Sequence, residues 1–504
     1  MPRRIGVRSR RDCIRFRRAL GGGAAPTRQH LGGGRSRRVR RARRTIHLTM
    51  SEDGREDPPG PGTIETSVVA MRFRRDPLGE SFAMIRRYGD VICSRFGPWR
   101  FYSLFRPEHV RHVLQDNNHN YIKGELIERT KILIGDGLFS TEGDVWRRQR
   151  RTVQPAFDRR RITSLIPVIT ESAASTLDRW APDVDAHRPI DLPTAMTALT
   201  LHVIGHAFFG VDVRAAGVDV ADSLRVALAF VNRRVMVLFP VPMRLPLPSH
   251  LRFRRARHIL DSAVTRIIDE HRQTGSETRD LLSLLLGARD PETGETLTDV
   301  EIRDQVMTFV LAGHETTALA LTWALLLLAA HPDVEERLQR EVGAVLHGRP
   351  PTAEDLPRLP YARMVLDETL RLYPPVWAVA REAIADDEIG GYRIRAGSGV
   401  AVNTYVTHHD PEIWPDPTRF DPERFAPSAT ATRARFAYFP FGGGPRQCIG
   451  GEFALIEAQL VLAMIVDRYR VVQVSEGAMH PEISLTLRPR RDIRVTLERT
   501  TETQ

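Results

Sequence analysis

One cysteine constrains this chain more than any other feature. It stands two residues after an arginine, at the end of a glycine run and just ahead of a helix-forming stretch. The segment reads Phe441-Gly442-Gly443-Gly444-Pro445-Arg446-Gln447-Cys448-Ile449-Gly450, followed by Gly451-Glu452-Phe453-Ala454-Leu455-Ile456-Glu457-Ala458. Cys448 is thereby set at a helix N-terminus, where unpaired N–H groups and the positive dipole end favour a thiolate. Gly442 to Gly444 let the backbone approach something flat and large without Cβ clashes. Arg446 supplies a planar fork suited to a carboxylate. Taken singly, each feature has a plainer reading, since lone cysteines are usually small core residues and glycine clusters are usually turns. Together they describe a haem site, with thiolate on iron and arginine on a propionate.

The pattern F-x-x-G-x-R-x-C-x-G resembles the haem-binding loop of the cytochrome P-450 family, and other stretches agree with it in the right order. Ala312-Gly313-His314-Glu315-Thr316-Thr317 lies inside a long helical pattern, opened by a capping box of Thr298 with Glu301 and ended before His331-Pro332. About thirty residues at 1.5 Å each span ~45 Å, so such a helix must cross the core. Glycine and paired threonines are poor helix formers there, and a local widening would let Thr316 reach a ligand rather than its own carbonyl. The bland alternative is a Gly and Thr packed on a neighbouring helix. The segment resembles the family's distal pattern [AG]-G-x-[DE]-T. That resemblance implies that Ala312 and Gly313 leave room for dioxygen over the iron, that Thr316 holds the oxygen ligand, and that Glu315 relays protons from solvent.

Glu368-Thr369-Leu370-Arg371 puts an acid and a base on one helix face. Alone it is a weak signal, because surface helices are full of such pairs. With Pro374-Pro375 and the later Pro422-Glu423-Arg424-Phe425 it matches the family's order, which implies a buried ionic knot of Glu368, Arg371 and Arg424 supporting the haem loop. Trp146 and Arg150, four apart, share a face. The resemblance implies that both hydrogen-bond haem propionates, as do Arg381 and also Lys123, and that Phe441 belongs to the loop around the cofactor. Around the same helix, Arg148 and Arg151 fall opposite Trp146 and are expected to face solvent. With Arg159, Arg160 and Arg161 they would form a basic patch steering an acidic redox protein.

The expected fold is therefore mainly α with small β-sheets: a cytochrome P-450 fold with haem b between a long distal helix and a proximal cysteine loop and helix. Val91–Phe96 and Arg100–Leu104, around a Gly97-Pro98 break, predict a β-hairpin, and Ile389–Ile394 with Gly399–Val402 predict a second small sheet. The longest apolar run, Ala318 to Ala330, is short of the ~20 residues needed to cross a bilayer. Three scattered cysteines argue against a disulfide framework and for a reducing cytoplasm. No P-loop or dinucleotide fingerprint stands out, which argues against a fused reductase.

Charge is unevenly placed. Residues 1–49 hold sixteen arginines and one acid, a net of +15 against +11 for the whole chain, so the remainder carries −4. This leader has two triple-glycine clusters and cannot bury enough surface to fold. A secretory signal lacks its apolar region here, and a transit peptide or nucleic-acid arm fits on charge alone. The reading favoured is that Met50 is the true start, with residues 50–504 the catalytic domain and no nucleic-acid partner.

The resemblance implies a monooxygenase that puts one atom of O2 into a small apolar substrate, with terpenoid preferred over fatty acyl, steroid or polyketide. Its electrons would come from a ferredoxin or flavodoxin with an NAD(P)H-dependent reductase. The substrate would be lined by Ile122–Ile134, Phe230–Pro248, Phe309, Val376, Trp377, Val379 and the segment near Ser484. A peroxide-driven or rearranging haem-thiolate enzyme is the alternative, although such proteins typically lose the acid–threonine pair. A non-enzymatic haem sensor ranks last.

Overall fold

The capping box at Thr298 does what its sequence suggests. Thr298 accepts from the Glu301 N–H while Glu301 reaches back to Thr298, opening a helix that runs unbroken over Asp299–Ala330 and stops at His331. The computed structural model describes residues 57–212, 218–237, 240–274, 280–475, 479–489 and 493–500. All belong to one compact unit, Leu48–Gln504. The arginine-rich leader lies outside the described residues.

The long helix is apolar on all sides because helices pack on all sides of it. Leu192–Phe209 lies against one flank, and Pro360–Leu372 and Gly451–Arg468 pack elsewhere along it. One cluster of buried side chains joins these elements, including Val203, Phe208, Val306, Trp323, Leu366 and Leu460. Leu192–Phe209 and Asp299–Ala330 are long and apolar enough to cross a membrane by composition, but most of each apolar window is buried inside the protein. Both are core helices, which a search for contiguous apolar runs does not reveal.

The small sheets partly match expectation. Val91–Phe96 and Trp99–Leu104 pair antiparallel, Val91 opposite Leu104. The expected second sheet is two separate things. Asp387–Ile389 and Tyr392–Ile394 form their own hairpin. Gly399–Val402 instead joins the first sheet, running parallel to Trp99–Leu104 with Phe101 opposite Gly399. A pairing between strands three hundred residues apart leaves no local signal. Val379–Ala383 and Tyr121–Ile122 complete this five-stranded sheet, which brings Arg381 and Lys123 to one region.

Candidate functional site

The cysteine loop is closed by its own backbone. The Cys448 N–H donates to the Phe441 carbonyl (3.0 Å), and the Gly442 N–H donates to the Phe439 carbonyl (2.9 Å). Phe441 packs on a small cluster of Ala320, Leu370 and Leu455, so the loop meets the long helix and the two helices beside it. The glycines answer to the protein itself. Gly444 has φ +67°, and a Cβ there would sit 1.8 Å from the Leu114 carbonyl oxygen, while one on Gly443 would strike the Phe436 ring. Close approach to a flat ligand is therefore not what those two positions require.

Cys448 is exposed, yet enough protein surrounds it that burial pushes its thiol up. The Gly450 backbone and the Arg150 charge pull the other way and lose. The thiolate expected from the helix terminus alone is thus outweighed by desolvation. A soft sulfur in a weakly solvated pocket ionises readily only against a bound cation, and this donor fits iron.

Beside the loop stands a cluster of cations. Arg446 lies over the Trp146 ring (4.2 Å to its centroid) and pairs with Glu142, with a further bond to the Thr141 carbonyl (3.3 Å). Arg150 donates to the Gln447 carbonyl (3.1 Å), next to Cys448. The Lys123 ammonium is held by the Leu138 carbonyl (2.9 Å) and that of Phe139. Burial, then the Arg446 charge, brings Lys123 down to about 7. The same two causes lower Arg381 to about 10. Three half-buried cations repelling one another, with Glu142 as the acid they share, make a site short of negative charge. Two carboxylates of a haem would supply it.

On the long helix, accessible surface within Ile302–Leu328 gathers at residues 310–316, apart from Arg303, and Ala312 is the exposed position there. The helix does not widen. Thr316 donates its hydroxyl to the Ala312 carbonyl (2.8 Å), the ordinary i−4 bond of a helical threonine. Gly313 does not open space for a ligand either, because a Cβ there would sit 2.6 Å from Ile204 Cδ1 on the Leu192–Phe209 helix. That contact is what the packing alternative requires. Glu315 accepts from Arg488 (2.8 Å) and from the Thr486 hydroxyl (2.9 Å), partners that no local pattern identifies. Behind the site, burial pushes the Glu457 carboxyl well up, against the pull of the Thr317 hydroxyl.

The ionic knot is built as the motif order implies. Arg371 and Glu368 are fully buried and joined by two bonds (2.6 and 2.7 Å), with Arg424 3.5 Å from Glu368. Arg371 also donates to the His408 and Pro417 carbonyls. His408 in turn accepts from the Phe439 N–H (3.0 Å), which carries the knot's rigidity into the cysteine loop.

Several segments expected around the substrate converge. Trp377 donates to the Ser484 carbonyl (2.9 Å), Asn232 pairs with Ser484 and Leu485, and Arg129 reaches the Arg234 carbonyl (3.5 Å) and that of Val237. Phe309 is a correction. It is buried against Phe157 (5.3 Å) and Phe208 (6.3 Å) in the core. Arg148 and Arg151 are another. Both keep part of their surface open to solvent, but Arg148 pairs with Glu301, and Arg151 holds Asp290 by two bonds (3.0 and 2.9 Å), so their charges are already matched by acids of the same chain.

A long unbroken core helix, a buttressed cysteine loop and a carboxylate-hungry cation cluster are the parts that a haem-thiolate protein requires. Comparison with known proteins agrees: the Cytochrome P450 family profile matches residues 58–497. The chain is 38% identical to cyclooctat-9-en-7-ol 5-monooxygenase of Streptomyces melanosporofaciens, over 82% of this chain and 88% of that protein. It is 38% identical to cyclooctatin synthase of the same organism (86% and 94%) and 33% to pentalenene oxygenase of Streptomyces avermitilis (87% and 96%). The crystal structure of the cytochrome P450DA heme domain superposes with a TM-score of 0.80 at 28% identity, covering 89% of this chain and 98% of that one. The chain belongs to the cytochrome P450 family. It is a monooxygenase that uses haem b, O2, an organic substrate and a redox partner.

Proposed function

We propose that the substrate is a cyclic terpenoid, hydroxylated or epoxidised in bacterial secondary metabolism in the cytoplasm, with electrons from a separate ferredoxin or flavodoxin and its reductase. The observation that carries this is the 38% identity, across most of both chains, to a relative named for oxidation of cyclooctat-9-en-7-ol. The segments that converge through Trp377, Asn232 and Arg129 suit a rigid apolar body with one polar handle. Titrating the protein with cyclic terpene alcohols, steroids and fatty acids tests this by the shift of its Soret band. A terpene alcohol is expected to shift it at micromolar concentration. A response to fatty acids alone would overturn the assignment.

Residues 50–504 are proposed as the working protein, supported by a family match that begins at residue 58. Cys448 would hold the iron, and Cys448→Ser should lose the red-shifted band of the reduced carbon monoxide complex. Arg446, Trp146, Arg150, Arg381 and Lys123 would hold the propionate end, with Phe441 bracing the loop. Haem ligated by a thiolate supplies activation of O2 toward unreactive C–H bonds. Ala312 would leave room on the distal side. The Thr316 hydroxyl has one hydrogen and gives it to the Ala312 carbonyl, so toward the pocket Oγ1 presents lone pairs. Thr316 would therefore accept, holding a protonated group in place. Glu315 would carry protons inward from solvent once Arg488 and Thr486 release its carboxylate.

A further inference from the structure

The Leu192–Phe209 helix ends on Gly210 in the left-handed region (φ +60°). There the Gly210 N–H donates to the His206 carbonyl and the Val211 N–H to the Gly205 carbonyl, both at 3.1 Å. These bonds fold Asp212 back over the last helical turn. His202 and His206, four apart, share that face, and their rings meet edge to face with centroids 4.6 Å apart. One ligand atom from each of His202, His206 and Asp212 lies within 4.8 Å of the others. His202 Nδ1 is 3.3 Å from Asp212 Oδ1.

We propose that His202, His206 and Asp212 form a binding site for one divalent transition-metal ion of the zinc type, separate from the haem. Two imidazoles and a carboxylate with a side open to water are a zinc donor set. Ligand atoms ~2.0–2.2 Å from a tetrahedral ion lie roughly 3.3–3.5 Å apart, as His202 Nδ1 and Asp212 Oδ1 already do. His202 is 3% exposed and Asp212 34%, which leaves that open side at Asp212 and the half-buried His206. The carbonyl end of the helix dipole favours a cation there. The Arg179 charge opposes a metal, but its guanidinium is held by Ser175 (3.3 Å) and Thr176 (2.9 Å) on its own helix. The clamp would have a use. Between the two histidines, Ile204 packs on Gly313, and Thr200 donates to the His314 carbonyl (2.9 Å), so stiffening this turn stiffens the wall behind the oxygen-side helix.

The test is zinc titrated calorimetrically into tag-free, haem-loaded protein that has first been treated with chelator, with the thermal midpoint followed in parallel. Wild type is expected to bind one equivalent more than His206→Gln or Asp212→Asn, each variant losing affinity at least tenfold. His258→Gln, an exposed control, should behave as wild type, and zinc should raise the midpoint only where the extra equivalent binds. Equal binding by wild type and both variants overturns the proposal. Should a variant lose its haem spectrum, zinc-edge X-ray absorption of the wild type decides. Nitrogen and oxygen ligands with two imidazoles support the site, whereas sulfur ligation or fewer imidazoles overturns it.

Discussion

Arg488 and Glu315 form an ion pair of 2.8 Å that ties the Leu487–Pro489 strand to the middle of the long helix, one residue from Thr316. The acid proposed to relay protons is thus held, partly buried, by a base from the far end of the chain. Glu315→Gln should lower turnover by roughly tenfold to a hundredfold, within the range of a lost general acid. The solvent isotope effect should rise as proton delivery becomes limiting. Arg488→Gln, which leaves the carboxylate and removes its anchor, should not reproduce that loss. Turnover of Glu315→Gln within twofold of wild type would remove Glu315 from the relay.

Gly313 separates two explanations by direction. Because its missing Cβ faces Ile204 Cδ1, Gly313→Ala should overpack the helix crossing. The cost is about 1–3 kcal/mol, offset in part by the ~1 kcal/mol that alanine gains in a helix. A lower urea midpoint is expected, and Gly313→Ala with Ile204→Val should recover it. A variant as stable as wild type but unable to turn over would instead return Gly313 to the oxygen pocket.

The local parts of this site were legible and the long-range parts were not. Capping at Thr298, the Cys448 loop and the Glu368–Arg371 spacing are written within a few residues of one another, so helix geometry decides them. Helical arithmetic also put Arg148 and Arg151 correctly on the face opposite Trp146. It could not say that Glu301 and Asp290 wait on that face, because those pairings close through the fold. The same holds for Arg446 with Glu142, Glu315 with Arg488 and Gly399 beside Phe101. Thr316 is a subtler case. Its sequence context allows a widened helix, but the i−4 carbonyl was always the nearest acceptor.

Lys123 gives the site a pH dependence. Its value near 7 lies below the usual lysine range because burial and Arg446 disfavour the ammonium. A bound carboxylate favours that ammonium, so the loaded protein holds Lys123 above 7. Its contribution to haem retention is then full below about pH 7 and is lost as pH rises through the loaded-state value. Lys123→Met should release haem roughly tenfold faster at pH 6.5, as measured by transfer to apomyoglobin. The gap should close by about pH 10. An equal gap at both pH values would show that Lys123 acts through packing alone.

The electron donor's landing site moves with the correction at Arg148 and Arg151. Both are committed to internal ion pairs, and Arg151 holds the Asp290 carboxyl down at about 2. Reversing their charge would put Glu beside Glu301 and Asp290, so Arg148→Glu with Arg151→Glu should lower the thermal midpoint, which makes it a poor probe of docking. Arg159, Arg160 and Arg161 are different. They open the short Arg159–Ser164 helix, all three are exposed, and no ion pair engages them among the described residues. Nearby, Phe157 approaches Gly450 (3.8 Å from the position of its would-be Cβ), so this basic run lies near the cysteine loop. An acidic ferredoxin would be steered there, with a benefit that fades once the Debye length drops to a few ångströms. Arg159→Glu with Arg160→Glu should slow reduction by an acidic ferredoxin severalfold at low salt. The deficit should vanish near 1 M salt, and the substrate-induced spectral shift should stay at its wild-type midpoint throughout. Reduction at wild-type rate in low salt would move the docking site elsewhere on the surface.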